Sequence, residues 1–229
     1  MVTPSSAGMD RRTFLHVTAA TVALAGAGRA GWVTGAQEPQ AMQLPAPQTD
    51  GGRSVMQALK ERRSSRAFRA EPLPPQVLSN MLWAAFGVNR PESGGRTAPS
   101  ASNWQEIDLY VATAGGLSLY DARAHALRPV LHEDIRALTG RQAFVREAPV
   151  NLIYVADLAK MPRAAASEQE FYSGAHTGFI SQNVYMYCAS EGLATVVRAS
   201  IDRPALARTM GLRPEQRITL AQSVGYPKG

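Results

Sequence analysis

Arg62-Arg63-Ser64-Ser65-Arg66-Ala67-Phe68 and, further along, Pro99-Ser100-Ala101-Ser102-Asn103-Trp104-Gln105 are the stretches on which the reading of this chain turns. The first packs three guanidinium groups into five positions. On a helical turn, residues three and four apart share a face, so Arg62 and Arg63 would converge with Arg66. Planar guanidinium forks donate paired hydrogen bonds that match a phosphate dianion. The second stretch offers a Pro-fixed backbone, two hydroxyls and two amides, suited to the polar edge of a flat heterocycle. A phosphate site and a ring-edge site together point to a mononucleotide cofactor.

Two later segments extend the pattern: Gly192-Leu193-Ala194-Thr195-Val196-Val197-Arg198-Ala199-Ser200-Ile201 and Val224-Gly225-Tyr226-Pro227-Lys228. In this order, the four segments resemble the FMN-dependent nitroreductase family, near its azoline-oxidising dehydrogenase branch. The resemblance runs from about Ser54 to the C-terminus. It implies an α+β fold with a mostly antiparallel central sheet flanked by helices, built as an intertwined homodimer with two FMN sites at the interface. By the same resemblance, Arg62, Arg63, Ser64 and Arg66 hold the phosphate, ribityl and pyrimidine edge. Pro99, Ser100, Ala101 and Asn103 reach the ring of the FMN in the other subunit. Val197, Arg198 and Ala199 lie against the N5 side of the flavin, and Lys228 is a phosphate-side cation. Gln105 either joins the ring contacts or starts the next strand. Arg198 stands near where several relatives carry an acid; it is either a cation tuning the flavin or a surface arginine.

The N-terminus reads as a targeting segment. Asp10-Arg11-Arg12-Thr13-Phe14-Leu15 matches the twin-arginine export consensus, and Val17 to Gly28 is apolar but too short to span a bilayer stably. Small residues offer cleavage after Ala30 or Ala36. Gly26-Ala27-Gly28-Arg29-Ala30-Gly31 spells the dinucleotide fingerprint, which carries meaning only between a strand and a helix. Here Pro39, Pro45 and Pro47 follow, so no helix can continue. The expected organisation is a signal over 1–36, a flexible linker over 37–52 and one FMN-binding domain over 53–229.

The whole chain has 229 residues and a net charge of +6; without residues 1–36 it keeps 21 basic against 17 acidic residues. Apolar residues make up 45%, enough for a packed core, and basic residues form no stripe interleaved with aromatics, so nucleic-acid binding is not indicated. A single cysteine, Cys188, excludes an internal disulfide and reads as a small core residue.

Periodicity predicts helices over 55–62, 75–86, 133–138, 167–191 and 204–210, with strands over 107–111, 117–120, 127–131, 150–156, 194–201 and 218–224. Residues 88–98 read as a loop. On the long helix, Phe179, Ile180, Asn183, Val184, Tyr187 and Cys188 form the expected buried stripe.

No nucleophile elbow is present, and His132 beside Glu133-Asp134 lacks metal-ligand geometry, because adjacent helical residues diverge. His176, between Gly174 and Gly178, is either a packed histidine or a substrate-side group. With flavin supplying the redox chemistry, the protein needs no catalytic dyad of its own. The expected activity is an exported FMN-dependent oxidoreductase moving a hydride to or from a small organic substrate. A dehydrogenase working in the oxidising direction and a non-catalytic periplasmic binding protein for an anionic ligand are the alternatives. A periplasmic location implies a membrane quinol, a redox partner or the substrate itself as electron donor.

Overall fold

The computed structural model describes residues 40–229. The export motif, both cleavage positions and the Gly26–Gly31 stretch lie outside the described residues. Its strands are β1 (Met42–Gln43), β2 (Val88–Arg90), β3 (Gly95–Arg96), β4 (Ile107–Thr113), β5 (Gly116–Asp121), β6 (Ala126–Leu131), β7 (Val150–Asp157), β8 (Ala194–Arg198) and β9 (Gln216–Gly225). Among the described residues, four α-helices accompany them: α1 (Val55–Glu61), α2 (Pro75–Phe86), α3 (Ala166–Glu191) and α4 (Arg203–Thr209).

Seven strands form one sheet in the order β1-β6-β5-β4-β7-β9-β8, with every neighbouring pair antiparallel. Side chains alternate across a strand, so the register decides which residues meet. Leu109 opposes Tyr154 and Val111 opposes Leu152; these four pack under α2 and α3 with Met81, Leu82, Ile180 and Val184. Their neighbours Tyr110, Ala112, Ile153 and Val155 face the other way, against Leu206 and Met210 around α4. Both sheet faces are therefore covered. This explains why β7 is a continuous apolar run rather than an alternating one, with all eight residues buried.

Helix α3 follows from local chemistry at both ends. The Glu168 carboxylate accepts the N–H of Ala165 at 2.9 Å, and Gly192 closes the helix in the left-handed region at φ 70°. The buried stripe is Ile180, Val184 and Cys188 with Ser173, His176, Thr177, Ser181 and Tyr185. Phe179 is 46% exposed and Asn183 and Tyr187 are half-buried, so the expected stripe was rotated towards solvent. The period was right, but polar residues that bond inward displaced apolar ones from the buried face.

Four further expectations are corrected. Residues 42–48 are a docked strap rather than a flexible tether: β1 pairs with β6 and Leu44 is buried. Prolines there cannot donate, but the strap's carbonyls accept. Ser79 donates to Pro45 O at 2.6 Å and Gln76 to Ala46 O at 2.9 Å. Residues 133–138 form only a 3-10 turn over Arg136–Thr139, started by Asp134 accepting the Arg136 N–H at 3.0 Å. The 88–98 loop carries the β2–β3 hairpin. β8 ends at Arg198, short of Ile201.

Candidate active site

The first motif is not helical. α1 stops at Glu61, and Arg62 already has an extended ψ of 122°, so residues 62–67 run as open chain. Alternation then puts Arg62 and Ser64 on one side. The Arg62 guanidinium lies 5.3 Å from the ring centre of Tyr185, a cation–π contact, and Ser64 Oγ is 2.8 Å from Tyr185 Oη. That same phenol oxygen accepts the N–H of Val197 at 2.9 Å. Tyr185 thus ties the arginine segment to β8, a role sequence reasoning missed. Nothing in its spacing on α3 distinguishes it from a core tyrosine.

Backbone contacts bring in the other segments. Ser65 N–H donates to Thr195 O at 2.9 Å, Arg69 N–H to Tyr226 O at 3.0 Å and Lys228 N–H to Ala67 O at 3.2 Å. Three of the four segments singled out in the sequence therefore converge. Beside them opens a cavity of about 530 Å³, lined by Lys60, Arg62, Arg63, Tyr185, Thr195 and Pro227, among others. Arg53 and Glu61 also line it but pair with each other, which leaves Lys60, Arg62 and Arg63 as net positive charge. Arg66 and Lys228 are exposed and do not line this cavity. A concave site with surplus guanidinium and ammonium groups suits an anion such as a phosphate monoester. Cys188 forms part of the wall but is fully buried, and burial pushes its thiol well up, so it offers no thiolate.

The second motif lies elsewhere. Ala101–Asn103 form a 3-10 turn, and Ser102, Asn103 and Gln105 all adopt left-handed backbone, with φ of 49°, 52° and 48°. Such angles in non-glycine residues cost energy and persist only where neighbours enforce them. Ser100 Oγ accepts Gln105 N–H at 2.9 Å. The Gln105 amide donates to Gly94 O at 2.9 Å and Asn103 Oδ1 at 2.7 Å, and accepts from Arg96 at 2.9 Å. Gln105 thus lies outside β4, and its side chain braces the turn. Pro99, Ser102 and Asn103 face solvent. His176 accepts the Ala101 N–H at 2.9 Å, so that donor is already used. His176 and Tyr185 anchor the two halves on one helix, nine positions and hence about 13 Å apart along α3.

The surface expectation for Arg198 is corrected: it is not a surface arginine. On β8 its side chain points to the sheet face opposite Tyr185, and it is 6% exposed. There the guanidinium donates to Asn151 Oδ1 at 2.7 Å, Thr139 Oγ1 at 3.0 Å, Ser223 Oγ at 3.3 Å and the Thr139 carbonyl. All four partners are uncharged, and burial lowers its pKa to about 10. Gly140 passes so close that a Cβ there would strike the guanidinium. Val197 contributes its backbone N–H to the site through Tyr185, and Ala199 is exposed just beyond the strand.

Residues 59–226 match the family model described as "Nitroreductase family". A nitroreductase-family protein of Methanocaldococcus jannaschii is 32% identical over 148 residues, spanning 60% of this chain and 74% of its own length. The crystal structure of a nitroreductase-family protein from Ralstonia eutropha superposes with a TM-score of 0.80 at 40% identity, covering 85% of this chain and 92% of that one. The fold also matches the NADPH:FMN oxidoreductase of Vibrio harveyi, solved with NAD+, at TM-score 0.58 and 19% identity, over 76% of this chain and 69% of that one.

Proposed function

Because this chain belongs to the nitroreductase family of oxidoreductases, we propose that it is an FMN-dependent member that moves a hydride to or from a small organic substrate. The observation that carries this is the convergence of Arg62, Ser64 and the Val197 N–H on Tyr185, beside a cavity with unneutralised Lys60, Arg62 and Arg63. These residues suit the phosphate end of a mononucleotide, and Vibrio harveyi supplies an FMN-using protein of the same fold. When bound, the flavin supplies two-electron chemistry at N5. The chain supplies the rest: cations neutralise the phosphate, Tyr185 fixes Ser64 relative to β8, and the exposed Ser102 and Asn103 offer hydroxyl and amide groups to a ring edge.

Within one chain the turn and the basic cavity are held at different levels of α3, which favours a site completed by a second copy. Val55, Met56 and Leu59 support this reading: they are 69%, 75% and 48% exposed on α1, the helix whose Lys60 and Glu61 line the cavity, an apolar face suited to burial against another subunit. Titration of the purified protein with FMN, followed by flavin fluorescence, tests the cofactor. The expected outcome is saturable quenching with one FMN per chain; no uptake would leave the anion-binding alternative.

Export is part of the same proposal and rests on Arg11 and Arg12. A folded, cofactor-loaded protein suits that route, and outside the inner membrane the donor would be a quinol, a redox partner or the substrate itself. Arg11→Lys with Arg12→Lys should retain the yellow protein in the cytoplasm. A wild-type protein found there, and reduced rapidly by NADH, would end both ideas.

A further inference from the structure

His176 and Glu106 form a buried pair that the reading above does not use. His176 is 2% exposed and Glu106 is 0% exposed, with His176 Nδ1 2.7 Å from Glu106 Oε1. The hydrogen positions follow from the partners. Ala101 N–H can only donate, so His176 Nε2, at 2.9 Å, must accept. Nδ1 then carries the proton and donates to Glu106. Tyr172, one turn before His176, and Phe179, one turn after, flank the imidazole with centroids at 5.7 and 6.2 Å. Glu106 Oε2 is buried without any partner, so the carboxylate has its single side-chain hydrogen bond from this imidazole.

The bond ends on the turn whose next residues, Ser102 and Asn103, hold left-handed backbone and face solvent. Gln105 and Ser100 brace that turn from its C-terminal side; the Ala101 N–H is its hydrogen-bonded tie to α3, beside the edge-on packing of Trp104 against Tyr172 at 5.5 Å. We infer that His176, its tautomer set by Glu106, is a positioning residue that holds turn 99–105 in the conformation presenting Ser102 and Asn103 to the flavin ring. This rests on the FMN reading given above. An imidazole with its proton on Nε2 would face the Ala101 donor with a donor and release the turn.

The test compares wild type with His176→Ala, His176→Gln and the double variant Glu106→Gln/His176→Ala. Glutamine keeps an acceptor near Nε2, and the double variant avoids leaving a buried carboxylate unpaired. Two readouts are taken: amide hydrogen exchange at Ala101 in the apoprotein, and affinities for FMN and for inorganic phosphate. Loss of the imidazole, in the single or the double alanine variant, should speed Ala101 exchange and weaken FMN at least tenfold while leaving phosphate affinity unchanged. His176→Gln should recover most of both losses. Unchanged exchange and FMN affinity in the alanine variants, or parallel loss of phosphate binding, would overturn the positioning role. Wild-type protein that takes up no FMN overturns the cofactor reading instead, and the exchange measurement on apoprotein still decides what His176 does to the turn.

Discussion

Arg66, which lies outside the basic cavity, is a proposed cofactor contact that the sequence suggests, whereas Tyr185 is a tie that it does not. Arg66 is exposed, and its expected role is to donate to the cofactor. Arg66→Ala should weaken FMN retention by roughly 1.5–3 kcal/mol, the range of a charged hydrogen bond; unchanged retention after dialysis would remove it from the site. Arg66→Lys should restore only part, since the fork is lost. Tyr185→Phe removes the oxygen shared by Ser64 and the Val197 N–H. The expected cost is about 1–3 kcal/mol in unfolding free energy, because a half-buried N–H loses its acceptor, together with weaker FMN binding. Equal stability and affinity would show that the phenol does not tie the arginine segment to β8. The arginines announce themselves in sequence because charge clusters are visible there. Tyr185 and the inward turn of Arg198 are not, because they depend on which face of α3 and β8 the fold buries.

Elements were legible where one period governed them. The antiparallel sheet, α2, α3 and β7 follow from apolar patterns of period 3.6, from short alternation or from continuous burial. Where polar side chains set the structure, the pattern misled. Asp134 starts a 3-10 turn where a helix over 133–138 is expected, and carbonyls of a proline-rich strap find donors on α2. The turn between β5 and β6 is of this kind. Burial alone would raise the Asp121 carboxyl, but the N–H groups of Ala124 and Arg123 and the Arg128 guanidinium outweigh it and hold it below its ordinary value. A depressed carboxylate stabilises fully above its unfolded value of about 3.9 and loses that contribution as pH falls through the folded one. Asp121→Asn should therefore lower Tm at neutral pH, and the gap should close below about pH 4. A gap that stays constant on acidification would remove the charge from the explanation.

At the scale of the molecule, α3 is the spine that carries both halves of the proposed cofactor site: Tyr185 anchors the basic segment and His176 anchors the turn. Their separation along the helix, with an exposed apolar face on α1, is the physical basis for expecting two copies to build each site. The family and the α+β architecture could be read from four short segments, but the proposed sharing of a site between chains does not follow from one chain's periodicity. The most direct measurement is sedimentation equilibrium of the FMN-loaded protein, monitored at a flavin band and a protein band together. The account predicts that flavin and protein sediment as one species of twice the chain mass, with one FMN per chain. Flavin sedimenting with a monomer would contradict the shared site.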